Sequence, residues 1–226
     1  NLIFYLFLLY FKLQLGLNSI VLYIIHMYNK INNILRLTEN HLKVLSLFTS
    51  GYNKTLYIRE VNRMLDISPR TAQLTLDYLE SKGVLQSTIR GKIKTYSFRK
   101  NQTSKYHLTL AESYKTTLFM DNHPLIMEII EKILPLISGM GLIFGSYAKG
   151  IEYKESDLDI FLAGHADSTK IREISKAYGI DINLIVYPLE KYKSVINKDI
   201  LVKEVLENHI VIKNIDGFVS TVMENE

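Results

Sequence analysis

The sequence predicts an α+β protein in two parts. Three short helices closed by a β-hairpin come first, followed by alternating helices and strands around a small mixed sheet. Three observations carry this. Apolar residues recur at helical spacing between residues 39 and 82, then give way to strand-like runs between Val84 and Arg99. From Pro124 onward apolar helices and short buried strands alternate, an order that packs helices against a sheet. Of 226 residues 47% are hydrophobic and 22% charged, with 4 Pro and 11 Gly, a globular composition long enough for one large core or two small ones.

Zero cysteines exclude a disulfide scaffold, thiolate metal sites, iron–sulfur clusters and thiol nucleophiles, and suit a reducing cytoplasm. The net charge of +4 leans toward polyanions, with a meaning that depends on where it lies. Residues 2–11 are wholly apolar and the apolar character resumes through Ile25, long enough for a membrane helix. Against that, Lys12 would sit near the bilayer centre at a cost of about 2.5–3.5 kcal/mol, and no signal-peptide pattern is present. The chain opens on Asn1, and its first Met is Met27, where the composition turns polar. Residues 1–26 are therefore read as a hydrophobic segment from a mis-set start, with no membrane partner expected and a membrane anchor as the alternative.

The elements follow in order. Leu42, Leu45 and Phe48 share one face of a first helix that Ser50-Gly51 ends. Ile58, Val61 and Leu65 line a second, between Tyr57 and Leu65. Ser68 is an N-cap and Pro69 belongs at the first helical position, so a third helix runs to about Lys82, burying Ala72, Leu76 and Leu79 and stopping at Gly83. Strands Val84–Thr88 and Ile93–Arg99 flank the basic turn Ile89-Arg90-Gly91-Lys92. Residues 101–121 read as a connecting helix through Leu108, Ala111, Tyr114 and Leu118, and as a candidate for homodimer formation.

That order, with SPRTAQLTLDYLESKGVL across its third helix, resembles a winged helix-turn-helix domain, assigned to residues 27–100. The resemblance implies DNA as a partner. Arg70, Thr71, Gln73 and Thr75 would face bases from the third helix, and Arg90 and Lys92 would touch the backbone from the wing. Leu74, where a polar contact is usual, departs from the pattern. Between Arg59 and Lys100 lie nine Lys and Arg against four acids, so the basic excess of the whole chain is concentrated here.

An apolar helix, Leu125–Ile137, leads to a buried strand, Leu142–Phe144, and then to Gly145-Ser146. A backbone turn between strand and helix offers N–H groups to phosphate. Asp157 and Asp159 stand on one face of the next strand with Leu158 and Ile160 on the other. Two neighbouring carboxylates need a cation, and oxygen-only ligands suit Mg2+, which binds through one or two carboxylates plus substrate phosphates. A phosphate cradle beside such a pair is equipment for phosphoryl or nucleotidyl transfer.

GSYAKGIEYKESDLDIFL, read as Gly-Ser, ten residues, then Asp-x-Asp, resembles the signature of the polymerase-β-like nucleotidyltransferases and looks like their minimal members, over a domain spanning residues 122–226. The resemblance implies that Gly145 and Ser146 bind the β- and γ-phosphates of ATP or another nucleoside triphosphate, and that Asp157 and Asp159 ligate Mg2+. It also implies a third carboxylate on a later strand. After a helix capped by Ser168 and ended by Gly179, strand Ile180–Val186 offers Asp181 and Asn183 on one face. Asp181 is the acid available and is named catalytic; alignment on Asn183 would leave the base missing. Minimal members include antitoxins that transfer AMP to a HEPN-type toxin, and antibiotic-modifying enzymes. The DNA-binding part favours the antitoxin-like role, with a non-catalytic regulator as the alternative.

Overall fold

The computed structural model describes residues 37–225; the expectations for residues 1–26 lie outside them. The chain is α+β, and its described residues are built on two sheets. Among the described residues no helix is long and apolar enough to cross a membrane.

Helix α1 (Glu39–Thr49) buries Val44, Leu45 and Phe48. Strand β1 (Leu56–Tyr57) precedes α2 (Ile58–Leu65), and α3 (Pro69–Ser81) starts where Ser68 Oγ accepts from the Thr71 amide at 3.0 Å. Gly83, at φ +71°, lets the chain leave α3 in a left-handed turn that a branched residue would strain. Strands β2 (Leu85–Arg90) and β3 (Ile93–Phe98) form a hairpin, with Arg90 paired to Ile93 across the two-residue loop Gly91-Lys92. The wing turn is thus tighter than the four residues expected. The two-residue β1 is an addition: it pairs antiparallel with β3 and gives a sheet of order β1-β3-β2.

Helix α4 (Gln102–Asn122) is capped by Asn101, whose side chain accepts from the Ser104 amide. It buries Leu108, Ala111 and Phe119 as core positions, whereas Leu118, expected inside, is exposed. Glu112 of the same helix is also fully buried. Helix α4 packs on α1, and also on two later elements, strand β7 (Ile210–Lys213) and helix α10 (Ile215–Asn225).

The apolar helix predicted to reach Ile137 ends earlier. Helix α5 (Pro124–Ile133) passes into a 3-10 turn, Leu134–Leu136, because Pro135 supplies no backbone donor. Strand β4 (Ile137–Ile143) then starts five residues before the expected strand. It pairs antiparallel with β5 (Leu158–Ala166) on one side and with β7 on the other. Helix α7 (Ser168–Tyr178), capped by the Asp167 side chain rather than by Ser168, crosses to β6 (Ile182–Tyr187), which lies parallel to β5. The sheet order is β6-β5-β4-β7. Helices α8 (Leu189–Val195) and α9 (Ile200–Glu207) link β6 to β7. The core of this part gathers Ile129, Ile130 and Ile133 of α5 with Leu158, Ile160 and Leu162 of β5.

Candidate functional site

The site grows from the ends of β4 and β5. Leu158 and Ile160 point into the core, so alternation turns Asp157 and Asp159 the other way: Asp157 is exposed and Asp159 half-buried. At the end of β4 the Phe144 amide donates to the Asp159 carbonyl at 3.0 Å, which brings the next residue, Gly145, against the Asp159 side chain. Gly145 sits at φ +68°, and a Cβ there would collide with Asp159 Oδ2. The positive φ favours glycine, and any larger residue would push the Asp159 carboxylate aside. The short helix α6 (Gly145–Lys149) carries Ser146 in its first turn, so the Gly-Ser turn and the carboxylate form one local structure.

Across the parallel pair, Asp159 is in register with Asn183, whose Nδ2 donates to Asp159 Oδ1 at 2.9 Å. Asp181 lies just outside β6, exposed, its carbonyl accepting from the Leu158 amide at 2.8 Å. Of the two alternatives, Asp181 and Asn183, the side chain set against Asp159 is Asn183, because the register of two strands decides which residues meet. Among the described residues no group of three His, Asp or Glu side chains is arranged to hold a metal ion. Two carboxylates with an amide beside them remain a donor set of hard oxygens. That is enough for a cation which takes its other ligands from water and phosphate. Lys149 at the end of α6 pairs with Glu204 at 2.9 Å.

The loop from α6 to β5 is anchored from outside the motif. His123, between α4 and α5, stacks on Phe119 at 4.2 Å between centroids and directs Nδ1 to the Phe119 carbonyl at 2.7 Å. Its Nε2 stands 2.9 Å from Glu152 Oε1. That hydrogen bond holds the Glu152 carboxyl below the usual carboxylate range, while Glu152 Oε2 is buried with no hydrogen-bond partner among the described residues. This clasp is not legible in the sequence, since a lone His and a lone Glu 29 residues apart carry no spacing rule.

On α3, Arg70 is exposed and its guanidinium reaches Gln73 Oε1 at 3.4 Å. Thr71 is engaged with the cap, its Oγ1 2.8 Å from Ser68 Oγ. Thr75 is buried at 5% exposure, which removes it from the residues expected to face bases. It shares the inward face with Ala72, Leu76 and Leu79, as helical spacing demands. Leu74 stands outward, half exposed. Arg90 and Lys92 are exposed at the tip of the hairpin beside Ile89.

No protein-family model matches this chain, and no curated protein matches it. Among solved structures, a crystal structure of a toxin-antitoxin with AMP-PNP is similar at 17% identity and a TM-score of 0.31, over 46% of this chain and 84% of that one.

Proposed function

We propose that the chain is a nucleotidyltransferase that moves a nucleoside monophosphate, AMP from ATP, onto an acceptor hydroxyl, joined to a winged helix that binds DNA. The single observation that carries this is the fit of Gly145 under Asp159, which makes the Gly-Ser turn and the Asp-x-Asp strand one site. Asp157 and Asp159 would hold Mg2+, which supplies neutralising charge to a triphosphate and its leaving pyrophosphate. The Gly145-Ser146 backbone offers donors to the β- and γ-phosphates. In the transfer, the acceptor oxygen forms a bond to the α-phosphorus, the bond from that phosphorus to the bridging oxygen breaks, and pyrophosphate departs. The acceptor proton needs a base, and Asp181, the residue just before β6, is the acid assigned that role. An antitoxin-like role, with a HEPN-type toxin as acceptor, is the reading that uses both parts of the chain.

Asn183 favours a second reading. An amide cannot take a proton from the acceptor, so a regulator that binds nucleotide without transferring it would keep this residue. Label transfer from α-phosphate-labelled ATP with Mg2+ separates the two. Transfer is expected in the wild type and is expected to fall to background in Asp157→Ala; transfer that survives the substitution overturns the active-site reading. No transfer to any acceptor, with ATP still bound, selects the regulator.

A further inference from the structure

Strand β3 ends on Phe98, and Arg99 and Lys100 follow before Asn101 caps α4. This junction forms one side of a cavity of about 500 Å3, within the range usual for small-molecule sites. Its apolar lining is Phe98 and Leu108, both buried, with Met223 of α10. Its polar lining includes Asn53, Gln86 and Ser97, and two cations, Arg99 and Lys100. None of these five polar side chains has a hydrogen-bond or ion-pair partner among the described residues. Among the described residues no acid lines the cavity, so the two cations set its sign. Lys94 of β3, by contrast, is neutralised by Glu80 at 2.7 Å and Asp77 at 3.2 Å.

We propose that this cavity binds a small organic anion, with a flat apolar body against Phe98 and Met223 and an oxyanion group facing Arg99 and Lys100. A guanidinium fork beside an ammonium suits the several acceptor oxygens of a phosphate, sulfonate or carboxylate. The neutral polar groups fix orientation at the edge of the body. Duplex DNA could meet the two cations but could not seat against the buried rings behind them. The cavity also touches Tyr52, whose hydroxyl donates to the buried Glu112 at 2.6 Å. A bound anion therefore rests on a ring that belongs to the hydrogen-bonded core of the molecule. None of this involves Asp157 or Asp159.

The probe is 1-naphthalenesulfonate, titrated into the full chain by calorimetry, with sodium sulfate as the anion alone and 1-naphthalenemethanol as the body alone. One site per chain is expected, with either half-probe at least tenfold weaker. Both cations are exposed, so Arg99→Gln/Lys100→Gln should fold normally and bind the probe at least tenfold more weakly. Met223→Trp, which fills the cavity, should also weaken it. The proposal falls if no saturable binding occurs up to millimolar probe. It falls equally if sulfate binds as tightly as the whole probe, or if both variants bind as the wild type does. A double variant that keeps the probe and loses DNA affinity assigns the cations to DNA and overturns the proposal.

Discussion

Asn183 Nδ2 donates a hydrogen bond to Asp159 Oδ1 at 2.9 Å, across the two paired strands. Substituting aspartate removes a donor and adds a charge at hydrogen-bond distance, and two such carboxylates cannot both ionise without a cation between them. Asn183→Asp is therefore expected to be less stable than the wild type by about 1–2 kcal/mol without divalent metal. It should recover more than the wild type does when Mg2+ is added, because a ligand that binds the native state stabilises it by mass action. Thermal melts of both proteins with and without Mg2+ check this, and an equal response removes the cation from the site. At Gly145 the constraint is steric. Gly145→Ala places a Cβ into Asp159 Oδ2 and a left-handed φ on a residue that disfavours it. Nucleotide affinity should drop at least tenfold while circular dichroism stays near that of the wild type; unchanged affinity would separate the turn from the carboxylate.

Helix α3 and the hairpin are locked by charges that sequence counting treats as free. Lys94 meets Glu80 and Asp77, and Tyr96 Oη donates to Asp77 Oδ1 at 2.8 Å. Burial, then the bond to Asp77, pushes the Tyr96 hydroxyl up to about 12. With these three charges paired, eight cations face two acids between Arg59 and Lys100, a stronger basic bias than the raw count. On the winged-helix reading, Lys92→Ala should lower DNA affinity about equally for all sequences and flatten the salt slope by about 1. Arg70→Ala should cost about 1–3 kcal/mol and relax sequence preference. Binding titrations over a range of salt and sites test both, and a DNA affinity blind to both substitutions sinks the assignment. What could be read in the sequence at this scale was local: the Ser68-Pro69 start, the Gly83 stop and the alternation around Asp157 and Asp159 each depend on neighbours within a few residues. The two-residue β1 has too little pattern to show and exists by pairing with β3. The choice between Asp181 and Asn183 depends on the register of two strands, and Thr75 is polar by type but buried on the inward face of α3.

One buried cluster gathers residues from across the described chain. Glu112 of α4 is fully buried; its Oε1 accepts from Tyr52 at 2.6 Å and lies 3.0 Å from His209 Nε2, and its Oε2 accepts from Lys115 Nζ at 2.9 Å. Lys115 also donates to Thr49 Oγ1 of α1 at 3.0 Å, and His209 stands just before β7. A glutamate on a polar helix face reads as solvated when its partners are 60 and 97 residues away, which is why the sequence did not mark it. Burial works against ionisation of Glu112, but Lys115 and His209, with the Tyr52 hydrogen bond, outweigh it and bring the carboxyl from 4.5 down to about 2. The native state thus binds fewer protons than the unfolded chain between those values. The stabilisation is complete above about pH 4.5 and is lost as pH falls toward about 2. Removing the carboxylate leaves the Lys115 ammonium, 3.4 Å from His209 Nε2, without its counter-charge. Breaking a buried pair in this way typically costs about 3–5 kcal/mol, so Glu112→Ala is expected to lose about that much at neutral pH and to show a flatter acid limb than the wild type. Because the cluster ties α1 to α4 and to the start of β7, amide exchange should quicken in peptides from all three together. Faster exchange confined to α4, or a Glu112→Ala protein as stable as the wild type at pH 7, would show that the cluster does not hold these elements to one another.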